Sequence, residues 1–188
     1  MIIDVEIVAG VRCWVQEVVV GLGLCPFARR PFEEGTIAYL VSRATIEDTL
    51  YRELLQALET FLHAGPAETS TALFICPDAL PDFDAYDAFL GVVEQGLADT
   101  GLDQLVQIAG FHPEYRFADA PPDDPANYTN RSPWPLFHFI RQEEMSAALA
   151  QHPDPASIPG RNIALLRRIG LEEMKARLEA IRFAVYHK

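Results

Sequence analysis

Apolar residues follow two different spacings along this chain, and each spacing is typical of one kind of secondary structure. An apolar residue at every third or fourth position predicts an amphipathic helix, whereas a short continuous apolar run predicts a buried strand. Helical spacing occurs in six segments: residues 6–21, 45–64, 82–100, 143–151, 161–169 and 171–185. Short apolar runs occur in four segments: residues 37–41, 71–76, 105–111 and 136–140.

Polar residues and breakers at the segment ends refine this pattern. Thr45 can cap the second helix, with Asp48 at capping-box spacing, and Gly65 follows its last turn. Gly101 ends the third helix in the same way. The proline-rich residues 152–160 predict a linker between two later helices.

The order of these elements predicts the fold class. We expect an α/β (or α+β) fold with one four-stranded mixed sheet covered by helices, in a single domain spanning residues 1–188. Strands one to three are connected by helices and should run parallel with right-handed crossovers, while the fourth could run in either direction. In such sheets ligands bind beyond the carboxyl ends of the strands. That edge would hold Ser42 and Arg43, residues 76–78, and His112 with the loop that follows it.

A segment rich in proline, aspartate and asparagine, residues 113–135, separates strands three and four and is called the central loop below. Its composition disfavours both helix and sheet. Loops of this length within a domain are uncommon, and the ordered ones are usually functional. We therefore predict that the central loop is ordered, held by its aromatic side chains, and part of a binding site.

Composition and charge limit the function classes. The chain has 188 residues, of which 49% are hydrophobic, which is enough for a sizeable core. A formal net charge of −12 argues against nucleic acid as a partner, because phosphate binding needs a basic surface. No apolar run is long enough to span a membrane, and the N-terminus does not resemble a signal peptide. Three cysteines do not make a disulfide framework, so we expect a reducing cytoplasm.

Cys25 is the first candidate for chemistry. In the sequence Cys-Pro-Phe-Ala, Pro26 could occupy the first helical position and leave Cys25 at the N-cap, where the helix dipole favours a thiolate. Such a cysteine could act as a nucleophile or in redox chemistry. The alternative is a buried structural cysteine in a tight connection.

Two histidines beside the central loop form the second candidate. His112 follows strand three and could act as a general acid or base. His138 in strand four could approach it, with Asp123 or Asp124 completing a metal site, or could be a core histidine with a hydrogen-bond partner. Because no recognised metal-ligand spacing occurs, we predict no metal.

Three arginines form the third candidate, because guanidinium groups bind carboxylate or phosphate through two parallel hydrogen bonds. Arg131, Arg141 and Arg161 could clamp an anionic ligand. The alternative is that they form structural salt bridges with aspartates of the central loop. The residues that we expect to line the binding site are Asp123, Asp124, Asn130, Arg131, Ser132, His138, Arg141 and Arg161.

Five motifs carry a family resemblance that covers nearly the whole chain. They are FHPEYRF (111–117), PPDDPANYTNRSPWP (121–135), GLCPFA (23–28), PDALPDFDAYDAFL (77–90) and IPGRNIALLRRIG (158–170). With these motifs the chain resembles the bacterial domain of unknown function family DUF1415. The resemblance implies no assigned activity or cofactor.

The residues themselves favour an enzyme-like protein that binds a small anionic metabolite at residues 107–141, with His112 as acid or base. One alternative is a non-catalytic interaction protein that uses the central loop as a recognition surface. A second is a thiol-based redox protein that uses Cys25. The sequence does not indicate a cofactor or an oligomeric state.

Overall fold

The computed structural model describes residues 3–186, with side chains to residue 184, and is built on one four-stranded sheet. The strands are β1 (Ile37–Val41), β2 (Thr71–Ile75), β3 (Val106–Phe111) and β4 (Leu136–Arg141). Their order in the sheet is β1-β2-β4-β3. β1 and β2 pair in parallel, whereas β4 pairs antiparallel with both β2 and β3. The predicted mixed sheet is confirmed, and β1, β2 and β3 share one direction as expected, although β4 lies between β2 and β3.

Helices cover both faces of this sheet. They are α1 (Asp4–Trp14), which continues into a π-helix (Val15–Val20), α2 (Arg29–Glu34), α3 (Glu47–His63), α4 (Phe83–Thr100), α5 (Gln142–Gln151), α6 (Ile158–Ile169) and α7 (Leu171–Tyr186). Between residues 3 and 186, none of these helices has the length and apolar content needed to cross a membrane.

The helix ends agree with the sequence at α4 and differ from it at α3 and α6. Asp82 caps α4 by accepting the Ala85 amide at 3.0 Å, and Gly101 ends it with a φ of 73°. The predicted cap at Thr45 is wrong, because the chain stays extended through Ile46 and α3 begins without a side-chain cap. The predicted linker is also too long. α6 already begins at Ile158, since a proline is tolerated in the first turn of a helix.

The alternation of side chains along the strands divides the core into two layers. Phe74, Phe137 and Phe139 pack against α3 and α4 on one face. Leu73 and Leu136 point to the other face, where α1, the π-helix, α6 and α7 cover them. Neighbouring residues of one strand therefore contribute to different layers.

Candidate functional site

A cleft of about 420 Å³ opens at the carboxyl ends of β2 and β3, between the central loop and α7. We call it the edge cleft. Its walls come from the segments after β2 and β3, from the end of the central loop and from one face of α7. The lining residues are Pro77, Ala79, Pro81, Pro113, Glu114, Tyr128, Trp134, Pro135, Lys175, Leu178, Glu179 and Arg182. A cleft thus lies at the sheet edge where the topology predicted ligand binding.

The charged groups of the edge cleft come mostly from α7. Lys175 lies 3.8 Å from Glu172 of its own helix, which makes a loose and exposed ion pair. Arg182 is half-buried and forms no ion pair with any residue between 3 and 184. Glu114 and Glu179 are exposed at the rim of the cleft. Among the described residues, the guanidinium of Arg182 therefore lines the cleft without a carboxylate partner.

His112 lies beneath this edge with 0% of its surface exposed. Its Nδ1 accepts the Glu114 amide at 3.0 Å, so Nε2 carries the hydrogen and donates to the Leu80 carbonyl at 3.0 Å. Leu80 has a φ of 52°, which is uncommon for a residue other than glycine. Burial lowers the pKa of His112, and the nearby charge of Arg182 acts in the same direction. Both ring nitrogens therefore bind the backbone, which leaves neither of them for a substrate.

The polar side chains of the central loop bind the backbone of the loop and of the neighbouring strand β3. Asn127 accepts the Phe117 amide at 3.0 Å and donates to the Pro121 carbonyl at 2.9 Å. Asn130 donates to the Gly110 carbonyl at 3.0 Å, and Ser132 donates to the Trp134 carbonyl at 2.6 Å. Asn130 and Ser132 were predicted as binding residues, but the structure uses their side-chain donors to hold the loop.

Arg131 is also used within the loop. Its Nε donates to the Tyr115 carbonyl at 3.0 Å and its Nη2 to the Pro122 carbonyl at 2.8 Å. The guanidinium lies 4.7 Å from the centre of the Tyr128 ring. This arrangement differs from both predicted alternatives, because Arg131 binds carbonyl groups and neither faces the edge cleft as a free fork nor pairs with a loop aspartate.

Asp124 pairs instead with Arg167 of α6, which was not among the predicted site residues. The carboxylate is buried, accepts Arg167 Nη2 at 2.7 Å and Nε at 3.2 Å, and also accepts the Ala126 amide at 2.9 Å. Its pKa is lowered by the hydrogen bond from Arg167 and then by that amide. Asp123 is exposed. Asp124 thus joins the central loop to α6, whereas Asp123 does not line the edge cleft.

Arg141 lies at the opposite end of the sheet. β4 is antiparallel to β2, so its last residue lies beside the start of β2, where Arg141 donates to the Thr69 carbonyl at 3.2 Å. The expectation that Arg131 and Arg141 point into one pocket with His112 is therefore wrong. Arg161 is exposed on α6 and does not line the edge cleft.

The two histidines lie on opposite faces of the sheet. His112 packs against Phe83 and Tyr86, at ring-centre distances of 5.6 and 5.1 Å, in the α3/α4 layer. His138 alternates with Phe137 and therefore points to the other layer. Their predicted approach does not occur. Within the described part of the chain, no group of three or more His, Cys, Asp or Glu side chains could hold a metal ion.

His138 has the hydrogen bonding of a neutral core histidine. The Thr71 hydroxyl donates to the Phe139 carbonyl at 2.7 Å, so the 2.5 Å contact between His138 Nε2 and Thr71 Oγ1 needs the hydrogen on Nε2. Burial lowers the pKa of His138 to about 4. A protonated ring would require a charge in the interior, which is unfavourable.

This shift predicts a loss of stability in acid. The unfolded chain binds a proton at His138 near its ordinary pKa of about 6.5, whereas the folded chain binds it only near pH 4. The free energy of unfolding should therefore fall as the pH drops between these values. We expect a loss on the order of 2 kcal/mol, which is less than the full shift would give, because the side chain keeps some solvent contact. Urea unfolding at several pH values measures this. His138→Gln retains a donor for Thr71 and should remove this part of the pH dependence; an unchanged dependence in the variant would contradict the assignment.

Cys25 lies in a turn before α2 and outside the edge cleft. α2 begins at Arg29 with Ala28 at its N-cap, so the predicted position of Cys25 at a helix N-terminus is wrong. The amides of Phe27 and Ala28 favour the thiolate, but burial has the larger effect and raises the pKa of Cys25. A raised pKa is the reverse of what an activated nucleophile needs.

One face of α7 contributes to the site, although no residue of α7 was predicted there. Lys175, Leu178, Glu179 and Arg182 follow the i, i+3, i+4, i+7 spacing of a single helix face. Three of these four residues are charged, although a face that packs on a protein core is normally apolar. This charged helix face was the feature of the sequence that could have predicted the contribution of α7 to the site.

Comparison with known proteins identifies the family. A model of the family described as "Protein of unknown function (DUF1415)" matches residues 6–176 of the 188. No curated protein and no solved structure matches the chain. Because the family match spans most of its length, the chain belongs to the DUF1415 family, and the predicted resemblance is confirmed.

Proposed function

We propose that the protein binds a small anionic molecule in the edge cleft, with Arg182 as its main contact. The observation that carries this proposal is the lack of an ion-pair partner for Arg182 between residues 3 and 184, although it is half-buried. In a chain with 27 acidic and 15 basic residues, a carboxylate partner for an arginine would be easy to provide. A guanidinium that is partly desolvated without a partner gains the most from an anionic ligand.

The other cleft residues suit a ligand with an apolar body. Lys175 provides a second cation about two turns before Arg182 on α7, and its ion pair with Glu172 is long at 3.8 Å. Tyr128 and Trp134 contribute aromatic edges to the opposite wall. A volume of about 420 Å³ lies in the range of small-molecule sites. A small carboxylate or phosphate ester with an apolar portion matches the two cations of α7 and the apolar walls.

The proposal concerns binding and assigns no reaction. Both ring nitrogens of His112 are held by backbone groups, and the pKa of Cys25 is raised. The aromatic residues Tyr128 and Trp134 of the central loop are buried, so the loop exposes little apolar surface to a protein partner. A small-molecule site therefore fits these residues better than catalysis by His112 or a flat recognition surface.

Thermal unfolding with and without anions tests the proposal. We expect phosphate and small carboxylates to raise the melting temperature of the wild-type protein, because a ligand that binds only the folded state stabilises it by mass action. Arg182→Gln should abolish this rise while changing the melting temperature of the free protein little. Arg177→Gln is the matched control, because Arg177 is on the same helix, pairs with Glu173 at 2.8 Å and does not line the cleft.

Three results would count against the edge cleft. The first is a wild-type protein that no anion stabilises. The second is an anion effect that survives in Arg182→Gln. The third is an equal loss of the effect in Arg177→Gln, which would indicate general screening of charge.

A further inference from the structure

A second and larger concavity lies on the outer surface of the α3/α4 layer. This α3/α4 groove has a volume of about 610 Å³ and shares no lining residue with the edge cleft. Its floor is apolar and consists of Tyr51, Ala85, Ala88 and Phe89. Val92 extends the floor and is 60% exposed. An exposed apolar concavity of this size on a chain with an acidic surface is a candidate for a protein interaction.

The floor of the groove is held in place by packing. Tyr51 contacts Phe89 edge to face, with ring centres 6.3 Å apart and an angle of 81° between the ring planes. A Cβ at Gly96 would overlap the Tyr51 hydroxyl, so this glycine lets the tyrosine ring lie against α4. The small side chains of Ala85 and Ala88 then leave open space beside it. The groove is therefore formed before any partner arrives, and binding would not need a rearrangement of the floor.

The charged lining of the groove is acidic. Glu47 and Asp48 lie at one end, and neither carboxylate has an ion pair within residues 3–184. Arg52 also lines the groove, but it donates to the Asp48 carbonyl at 3.2 Å and to Thr49 Oγ1 at 3.3 Å within its own helix. A second copy of the chain would bring another net charge of −12 to this surface. Charge therefore favours a basic partner over self-association.

We propose that the α3/α4 groove binds an amphipathic helix of another protein, with an apolar stripe flanked by lysine or arginine. Apolar side chains at i, i+3, i+4 and i+7 would fill the floor along α4, as in other helix-in-groove complexes. The basic side chains would lie at the end of the groove that carries Glu47 and Asp48. This interaction is independent of anion binding in the edge cleft.

Fluorescence anisotropy with a synthetic peptide tests the groove. The probe is a labelled leucine–lysine peptide of about 15 residues with leucine on one helical face, and its control is a scrambled peptide of the same composition. The full-length wild-type protein should bind the amphipathic peptide at least about tenfold more tightly than the scrambled one. Ala88→Glu, which places a longer side chain and a charge in the floor, should weaken binding at least about tenfold.

Two further variants keep this test decisive. Ala98→Glu adds the same charge to an exposed position of α4 outside the groove, so it should leave binding unchanged or slightly tighter. Val92→Gln removes an exposed apolar side chain without changing the charge, and it should also weaken binding. It tests the groove independently in case Ala88→Glu disturbs folding.

The proposal is overturned if both peptides bind equally, or if Ala88→Glu and Ala98→Glu behave alike, since either result indicates attraction of lysine to an acidic protein. It is also overturned if gel filtration shows a wild-type dimer that Ala88→Glu converts to a monomer, because the occupant would then be a second copy.

Discussion

Replacing Arg141 with methionine should lower the free energy of unfolding by about 3 kcal/mol. Hydrogen bonds to a charged donor contribute about 1.5–3 kcal/mol each. In the variant, water can hydrogen-bond to only some of the carbonyl groups that lose the arginine. Arg141 Nη2 donates to the Phe61 carbonyl at 2.6 Å and to the Ala64 carbonyl at 2.7 Å, and both Nε and Nη2 reach Thr69. The guanidinium also lies 4.2 Å from the centre of the Phe61 ring. The side chain thus joins the C-terminal end of α3 to β4 and to the segment before β2, and the helix dipole favours a positive charge at this end of α3.

Urea unfolding of wild type, Arg141→Met and Arg141→Lys measures this contribution. The lysine variant should recover only part of the loss, because an ammonium group cannot reproduce the planar set of donors. Arg177→Met is the control for losing an exposed arginine, and its surface pair with Glu173 should be worth less than about 1 kcal/mol. If Arg141 instead served as an anion clamp, Arg141→Met would leave the free protein as stable as wild type and remove the stabilisation by phosphate.

Replacing His112 with alanine should lower the free energy of unfolding by about 3–4 kcal/mol, since the change creates a cavity and removes two hydrogen bonds. The ring is fully buried against Phe83 and Tyr86. It also connects the turn that contains Leu80 to the Glu114 amide after β3. Losing the ring therefore weakens the packing of α4 and the attachment of the central loop at the same time.

His63→Ala provides the comparison, because His63 is exposed and makes one hydrogen bond to the Glu59 carbonyl of its own helix. Its loss should cost less than about 1 kcal/mol. Equilibrium unfolding of both variants gives the two values. A His112→Ala protein with wild-type stability would show that the buried ring is not structural and would restore the acid–base hypothesis for this residue.

The elements of the fold could be predicted from local patterns. Periodicity located all four strands and six of the seven helices described between residues 3 and 186, because burial of one face imposes a repeat on nearby residues. The exception was α2, which has only six residues and is therefore too short to show an apolar repeat. Composition likewise predicted an ordered central loop held by its aromatic side chains. Tyr128 and Trp134 are buried as expected, and Asn127, Asn130 and Arg131 also hold the loop through hydrogen bonds to the backbone.

The candidate site could be predicted only in its position at the sheet edge. The residues chosen around it were polar and close together in sequence, yet Arg131 and Ser132 bind carbonyl groups of their own loop, and Asn130 binds the Gly110 carbonyl of β3. The cations that line the cleft, Lys175 and Arg182, come from a helix that is distant in sequence. A residue type indicates what chemistry a side chain can do, but its partners decide whether it is available.

By itself, then, the sequence determined which segments are helices and strands, the net negative charge and the family, because these depend on neighbouring residues or on composition. Only the tertiary structure decided that β4 inserts antiparallel between β2 and β3. That insertion sends Arg141 to the far end of the sheet, and the pairing register, with His138 opposite Ala109, places His112 and His138 on opposite faces. The physical reason is that the central loop is long enough to allow either direction for β4, so the choice depends on side-chain packing between segments that are far apart in the chain.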